Sequence, residues 1–250
     1  MNREATDLAG VRHKSYETLG STNAEALARA RDGERGPLWV TAKVQTAGRG
    51  RRGNAWVSVA GNLFATLLFT PSRMDVAPQL SFVAALAAHD AITNCAPQLK
   101  TRTTLKWPND LLIDGKKAAG LLLEAESMAV AIGFGINCAA HPTDTEYPAT
   151  DLKAEGVPLD IAALAAALSA AMQRRVAEWD NGAGFTSIRA DWLARAGGID
   201  GRIRVRLPDR ELQGQFRGLD DDGRLLLESG GTVEVIAAGD VFPLMGVQQS

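Results

Sequence analysis

The chain has 250 residues, 46% of them apolar and 22% charged, with a formal net charge of −2 at pH 7. These values lie near the averages of globular proteins and disfavour the disordered, collagen-like and membrane-spanning classes. The small net charge also disfavours a protein held to DNA mainly by phosphate contacts. Cys95 and Cys138 lack metal-ligand or redox spacing, and the first residues contain no apolar run of signal-peptide length. We therefore expect a cytoplasmic protein with reduced thiols.

Helical and extended patterns alternate over the first half of the chain. Ser21 precedes a run of strong helix formers at 24–31 that stops before Gly33, which predicts a capped helix. Strands are predicted at 39–44 and 63–69, with a glycine-rich loop at 46–54 between them. A buried helix is predicted over residues 79–95, because its apolar residues recur at helical spacing.

The middle of the chain shows short apolar runs broken by turn residues. These runs predict four sheet strands, at 105–107, 111–113, 119–124 and 129–136. A polar link with several prolines follows at 141–158 and is too long for an ordinary turn. We expect this link to cover a site.

The last third of the sequence predicts two further helices and then a series of short strands. The helices are predicted at 160–178 and 185–194. Four short strands follow at 202–207, 212–218, 224–228 and 232–236. They predict a small all-β barrel of SH3-like size. We expect two domains, a catalytic one at 1–196 and the barrel at 197–250.

Residues 48–53, Gly-Arg-Gly-Arg-Arg-Gly, match the glycine pattern of dinucleotide-binding proteins. They lead to Asn54 and Trp56 instead of opening a helix, so the required structural context is missing. The segment instead predicts a flexible loop whose amide and guanidinium groups wrap a phosphate or an acyl-phosphate. A solvated basic turn is the alternative interpretation.

A second cluster, Lys-Trp-Pro-Asn-Asp at 106–110, brings a cation, an amide and a carboxylate together where a strand ends. Asp110 is a candidate ligand of Mg²⁺, and Lys106 is a candidate ligand of a phosphate. A β-turn with a surface carboxylate explains the cluster equally well. Farther along, Lys117 enters an apolar strand, where a lysine either extends its charge to the surface or serves a function.

Together these segments resemble the biotin-protein ligase family. The resemblance runs from about residue 15 to residue 242, and its motifs stand in family order at 21–23, 45–53 with Trp56, 106–110, 117–120 and 133–137. It implies an α+β fold, with a central mixed β-sheet flanked by helices, as in class II synthetases, and a small C-terminal SH3-like β-barrel. It also implies an ATP- and Mg²⁺-dependent enzyme that forms biotinyl-5'-AMP with release of pyrophosphate. The biotin would then pass to a lysine of the biotin carboxyl carrier protein of acetyl-CoA carboxylase or a related carboxylase.

The resemblance further implies roles for individual residues. Lys117 and Arg51 are the expected catalytic residues, and Asp110 is the candidate Mg²⁺ ligand. The expected biotin-binding residues are Ser21, Thr22, Asn23, Gln45, Arg49, Gly50, Arg51, Lys117 and Gly120. The expected ATP-binding residues are Arg49, Arg51, Trp56, Lys106, Asn109, Lys117 and Asn137.

Two other functions stay open. A lipoate-protein ligase would share the fold and the adenylate strategy, but it is not expected to carry 48–53 followed by 106–110. A non-catalytic nucleic-acid-binding module is favoured by the arginines and the barrel, and opposed by the net charge and by the absence of aromatic stacking platforms. Family members that repress transcription carry an N-terminal helix-turn-helix domain, for which too few residues precede Ser21. We expect no binding to DNA or membranes, and the choice between monomer and homodimer is open.

Overall fold

The computed structural model describes residues 3–244, with side chains from residue 7 onward. Residues 1, 2 and 245–250, which belong to the two predicted domains, lie outside the described residues. The helices are α1 (Thr22–Arg31), α2 (Leu80–Cys95), α3 (Ile161–Trp179) and α4 (Phe185–Leu193). The strands of the larger sheet are β1 (Arg3–Leu8), β2 (Val11–Leu19), β3 (Leu38–Gln45), β4 (Leu63–Phe69), β5 (Thr103–Lys106), β6 (Asp110–Ile113), β7 (Lys116–Glu126) and β8 (Ala129–Ile136).

The larger sheet is mixed, in the order β1-β2-β3-β4-β8-β7-β6-β5. Strands β2 and β3 pair in parallel, while the other neighbouring strands pair antiparallel. A parallel pair needs a crossover connection, and α1 supplies it. Ser21 caps this helix as predicted, because its Oγ accepts a hydrogen bond from the backbone N of Ala24 at 3.4 Å. The C-cap is Asp32, one residue before the predicted Gly33.

Helices cover both faces of this sheet. Successive side chains of β3 point to opposite faces. Leu38 and Val40 pack against Ala26 and Leu27 of α1, whereas Trp39 belongs to a larger core on the other face. Helices α2, α3 and α4 pack together over that second face. Helix α2 is buried on nearly every side, which explains why its sequence is apolar around its whole circumference.

The second sheet is antiparallel and has five strands, one more than the four predicted for the barrel. Its strands are β9 (Arg202–Arg206), β10 (Glu211–Leu219), β11 (Leu225–Ser229), β12 (Thr232–Ile236) and β13 (Asp240–Pro243), in the order β12-β11-β10-β9-β13. It shares the larger core with α2 and α4. Trp107 also joins the two sheets, because its Nε1 donates to the backbone oxygen of Gly223 at 3.1 Å. The domain boundary at 196/197 stays a prediction.

The sequence pattern predicts β4 and β8 with their observed bounds, and most other elements within a few residues. It misses β1, β2 and β13. Strand β2 lies next to the edge of the sheet, and most of its side chains are half-buried or exposed, so no apolar alternation marks it. Strand β13 is only four residues long. Within residues 3–244 no helix is long and apolar enough to cross a bilayer.

A buried hydrogen-bond relay ties α3 to the sheet and gives a test of the fold. Trp39 Nε1 donates to Ser169 Oγ at 2.8 Å, and Ser169 Oγ donates to the backbone oxygen of Leu8 at 2.7 Å. Ser169→Ala leaves a buried indole N–H without a partner. We therefore expect the free energy of unfolding, measured by urea denaturation, to fall by about 1–3 kcal/mol. The exposed Ser187→Ala is the control and should change it by less than about 0.5 kcal/mol. Equal urea midpoints for Ser169→Ala and Ser187→Ala would show that the relay does not stabilise the fold.

Candidate functional site

A cavity of about 440 Å³ opens between α1, β7, β8 and the two loops that follow β3 and β8. Cavities of this size suit small-molecule ligands. It brings together most of the residues expected to bind ligands, namely Ser21, Thr22, Asn23, Gln45, Arg49, Gly50, Arg51, Trp56, Asn109, Asp110, Lys117, Gly120 and Asn137. Lys106 does not line the cavity but contacts two residues that do.

One end of the cavity is a network of buried hydrogen bonds. The side-chain oxygen of Gln45 accepts from the backbone N and the Oγ1 of Thr22, at 2.8 and 3.1 Å. Thr66, which sequence reasoning missed, lies within hydrogen-bonding distance of Thr22 Oγ1, at 2.8 Å. Ser21 is buried beside them at the start of α1. This end therefore presents fixed hydroxyl and amide groups, which suit a compact polar ligand group.

Asn23 lines the cavity but makes its hydrogen bonds within the protein. Its Nδ2 donates to the backbone oxygen of Leu122 at 3.1 Å and to the carboxylate of Glu124 at 2.9 Å. Its Oδ1 accepts from Thr66 Oγ1 at 2.7 Å. Both amide hydrogens are thus used within the protein, so Asn23 braces the pocket wall and keeps no donor for a ligand.

Glycines form the floor of the cavity. A Cβ on Gly120 or Gly135 would lie 2.7 or 2.5 Å from the indole of Trp56, and one on Gly133 would lie 2.3 Å from Oδ1 of Asn23. Only glycine allows these contacts. The sequence contains the signal, because glycines at alternate positions inside a strand mark a close approach. Gly133 and Gly135 were nevertheless missing from the expected site residues.

A cluster of two lysines and one carboxylate forms the other end. Nζ of Lys106 and Nζ of Lys117 lie 3.0 and 2.6 Å from the two carboxylate oxygens of Asp110. Burial raises the pKa of Asp110, but Lys117 and then Lys106 outweigh it, so the pKa lies below its usual range. The carboxylate is therefore ionised and holds both ammonium groups in place.

In the ligand-free protein the carboxylate of Asp110 is paired with two lysines, and its expected role as a Mg²⁺ ligand stays a prediction. Both carboxylate oxygens already contact ammonium groups, which would repel a divalent cation. No group of three or more His, Cys, Asp or Glu side chains suited to a metal occurs between residues 7 and 244. A Mg²⁺ ion commonly reaches such sites on the phosphates of a nucleotide, with few protein ligands.

Arg51 joins this end of the cavity to the second sheet. Its guanidinium donates to Oδ1 of Asn109 at 3.3 Å and to the backbone oxygen of Gly239 at 3.4 Å. Burial lowers the pKa of Arg51. Asn109 is fixed in turn, because its side chain donates to the backbone oxygen of Leu121. Arg51 is thus aimed into the cavity by contacts from two different elements.

Residues 48–56 form the predicted glycine-rich loop, which we call the lid hairpin because one antiparallel bridge, between Arg49 and Ala55, closes it around a 3-10 turn at Arg51–Gly53. The backbone N of Trp56 donates to the oxygen of Gly48 at 3.0 Å, and that of Gly50 donates to the oxygen of Asn54 at 2.7 Å. Its tip packs on the second sheet, where Arg52 contacts the carboxylate of Asp240 at 2.8 Å. Gly50 therefore shapes the hairpin through its backbone.

The link at 141–158 lines the cavity, as expected of a loop that covers a site. The backbone N of Lys117 donates to the oxygen of Pro148 at 2.7 Å. Asn137 donates through Nδ2 to the backbone oxygen of Thr150 at 3.1 Å, so its amide supports this loop. The ring of Tyr147 lies 4.2 Å from Nζ of Lys106. Sequence reasoning assigned no role to Tyr147, because nothing in its surroundings resembles a motif.

Known protein families match both parts of the chain. Residues 21–139 match the Biotin/lipoate A/B protein ligase family, and residues 198–242 match the Biotin protein ligase C terminal domain. The chain is 42% identical over 235 residues to the biotin–[acetyl-CoA-carboxylase] ligase of Paracoccus denitrificans, covering 89% of this chain and 96% of that relative. It is 38% identical over 232 residues to the Mycobacterium tuberculosis protein of the same name, covering 90% and 86%.

Among solved structures, the fold is similar to that of the biotin protein ligase from Aquifex aeolicus in complex with biotin and ATP. The TM-score is 0.80 at 22% identity, over 93% of this chain and 98% of that chain. At this identity the likeness concerns the fold.

Glu155 ties the loop at 141–158 to the sheet, and its titration tests that contact. A hydrogen bond from Lys116 lowers the pKa of Glu155 to about 2, against burial, which raises it. Its carboxylate also accepts from Thr150 Oγ1 at 2.7 Å. Because the folded-state pKa is depressed, the stabilisation is complete above the unfolded pKa, near 4.5, and is lost as the pH falls towards 2. Glu155→Gln should therefore lower the free energy of unfolding by about 1–2 kcal/mol at pH 6, since exposed partners screen part of the shift.

Urea unfolding of both proteins between pH 2.5 and pH 7 checks this expectation. The difference between wild type and Glu155→Gln should shrink below pH 4.5 and stay flat above pH 5. A difference that does not change with pH would contradict it.

Proposed function

The chain belongs to the biotin protein ligase family, and we propose that it is an ATP-dependent ligase that biotinylates a carboxylase carrier protein. Two relatives named biotin–[acetyl-CoA-carboxylase] ligase match this chain over 96% and 86% of their own length. The observation that carries the proposal is the polarity of one cavity. A neutral hydrogen-bonding end at Thr22 and Gln45 is separated by a glycine floor from a cationic end at Lys117 and Arg51.

Biotin matches this division of the cavity. Its ureido ring offers hydrogen-bond donors and an acceptor, its valeryl chain is apolar, and its carboxylate is an anion. The ring would bind beside Thr22 and Gln45, and the carboxylate would face Lys117. The chain would take the place along the glycine floor that the indole of Trp56 fills in the ligand-free protein. Burying polar groups with fixed partners gives selectivity, because an analogue that lacks them leaves the partners unpaired.

In the first half-reaction a carboxylate oxygen of biotin attacks the α-phosphorus of ATP. The bond from that phosphorus to the bridging oxygen breaks, and pyrophosphate leaves. Two anions must approach each other, so fixed positive charge lowers the barrier. Lys117, held by Asp110, and Arg51, held by Asn109, are oriented before the reaction. When carried on the phosphates of ATP, Mg²⁺ supplies further positive charge.

In the second half-reaction the amine of a carrier lysine attacks the acyl carbon of the adenylate. An amide forms, the bond from the acyl carbon to the phosphate oxygen breaks, AMP leaves, and the amine loses a proton. The mixed anhydride also reacts with water, so it must be shielded until the carrier arrives. The lid hairpin and the loop at 141–158 lie over the cavity and suit this task.

A lipoate-protein ligase is the second candidate, since the matching family includes lipoate ligases. The match at 198–242 to a domain of biotin protein ligases favours biotin. Competition between biotin and lipoate in an adenylation assay separates the two. A nucleic-acid-binding role has less support, because Arg49, Arg51 and Arg52 already contact Glu124, Asn109 and Asp240.

Several expectations stay predictions: the identity of the carrier, the absence of binding to DNA and membranes, the cytoplasmic location, and the choice between monomer and homodimer. The roles of the individual site residues are likewise part of the proposal.

The direct test is pyrophosphate release from ATP and Mg²⁺. We expect release to depend on biotin and to be followed by incorporation of biotin into a carboxylase carrier domain when one is added. A coupled colorimetric assay measures the released pyrophosphate, and mass spectrometry detects the added mass of biotin on the carrier. Release that lipoate stimulates but biotin does not would overturn the assignment.

Lys117→Met tests the cationic end. The substitution keeps much of the side-chain volume and removes the charge, so pyrophosphate release should fall on the order of 100-fold or more. Transfer from synthetic biotinyl-adenylate should fall less, because the anhydride is already formed. Lys100→Met, at an exposed site outside the cavity, is the control and should behave as wild type. Wild-type release by Lys117→Met would show that this lysine only packs against the sheet.

Biotinyl-adenylate should protect the lid hairpin from hydrogen exchange. Gly48, Gly50 and Gly53 leave the free segment much conformational entropy to lose, and the arginines would gain an anionic partner. Mass-spectrometric exchange of residues 48–56 with and without the adenylate measures this. Equal protection in both states would refute the expectation.

A further inference from the structure

Glu124 connects the lid hairpin to the pocket wall. It lies on β7, and its side chain is 27% exposed. One carboxylate oxygen accepts two hydrogen bonds, from Nδ2 of Asn23 at 2.9 Å and from the guanidinium of Arg49 at 3.0 Å. The first partner belongs to the pocket wall and the second to the hairpin. One atom thus joins two parts of the cavity that are far apart in sequence.

The wall side of this contact is rigid. Side chains two residues apart on a strand share a face, so Gly120, Leu122 and Glu124 lie along one side of β7. On β8, Gly133 pairs with Leu122 and packs against the amide of Asn23. Asn23 donates to both Leu122 and Glu124 and has no room to move toward β8. The carboxylate of Glu124 is therefore held at a fixed place relative to the pocket.

The hairpin side carries a residue expected to touch both ligands. Arg49 lies near the base of the lid hairpin, opposite Ala55. Within residues 7–244, the ion pair with Glu124 is the one that joins the hairpin to the larger sheet. The ion pairs of Arg51 and Arg52 run to Asp240 on the second sheet. Glu124 therefore links the side chain at the base of the hairpin to the larger sheet.

We propose that Glu124 is a positioning residue that holds Arg49 and the lid hairpin over the cavity and so sets how long the adenylate is retained. This rests on the proposed function. Glu124 does not line the cavity, so it acts on the ligand through Arg49. Its loss should weaken retention of biotin and its adenylate, while the chemistry at Lys117 continues.

Glu124→Gln is the sharpest variant, because the amide oxygen can still accept from Asn23 while the charge opposite Arg49 is lost. We expect biotinyl-adenylate, preformed on the enzyme and chased with unlabelled adenylate, to dissociate on the order of fivefold faster, the factor expected for a partly exposed ion pair. The KM for biotin should rise by a similar factor, with kcat for pyrophosphate release nearly unchanged. Amide exchange at 48–56 should also rise in the ligand-free protein.

Glu126→Gln is the matched control. Glu126 lies two residues along the same face of β7 and pairs with Arg31 of α1 at 2.6 Å, outside the cavity. It should leave the dissociation rate, KM and exchange of the hairpin at their wild-type values. If Glu124→Gln behaves in the same way, Glu124 does not position the hairpin and the proposal is wrong.

Arg49→Gln separates the two partners of Glu124. In that background Glu124→Gln should add nothing to the dissociation rate, because the contact is already gone. A full additional effect would mean that Glu124 acts through Asn23, which overturns the proposal. If Glu124→Gln does not fold, amide exchange at 48–56 must still rise in ligand-free Arg49→Gln, and wild-type exchange there counts against the proposal. The exchange measurement needs no activity, so it tests the contact even if the chain forms no biotinyl-adenylate.

Discussion

The carboxylate of Asp110, held between two lysines, is the interaction on which the cationic end of the cavity depends. Lys106 and Lys117 are both partly buried, so their ammonium groups have lost some hydration, and without a shared anion the two charges would repel each other. The same rule extends to the lid hairpin, where Arg49 faces Glu124 and Arg52 faces Asp240. The cations are thus balanced and oriented in the ligand-free protein. Phosphate and carboxylate groups of ligands would meet preset charges, which is the usual basis of electrostatic catalysis.

The topology explains how these groups meet. The crossover helix α1 begins at the cavity, so its first residues and their cap lie beside the end of β3. Strands β7 and β8 supply a floor of glycines that lets Trp56 and Asn23 approach the backbone. The second sheet contributes Asp240, which lies 188 positions beyond its partner Arg52. The C-terminal sheet is therefore part of the cavity wall as well as part of the core.

Hydrogen-bond capacity decides the roles that the sequence motifs leave ambiguous. Asn23, Asn137 and Asp110 all stand in motifs that suggest ligand contact, and all three line the cavity. In the folded protein the amides of Asn23 and Asn137 bind neighbouring strands and loops, and Asp110 binds two lysines. Each of these groups has few donors or acceptors, so a contact within the protein removes it from the ligand. We therefore expect these residues to shape the site more than to contact the substrate.

The sequence by itself determined the family, the order of the four helices and of most strands, and most of the residues around the cavity. These follow from local patterns: apolar periodicity, the helix cap at Ser21, glycines at 48–53 and the charges at 106–117. Only the tertiary structure decided which charges pair, that the loop at 48–56 is closed by an antiparallel bridge, and that Glu124, Tyr147 and Asp240 belong to the site or its support. Those contacts join residues from distant parts of the chain, and no local pattern records which distant partner a side chain will meet once the sheet has formed.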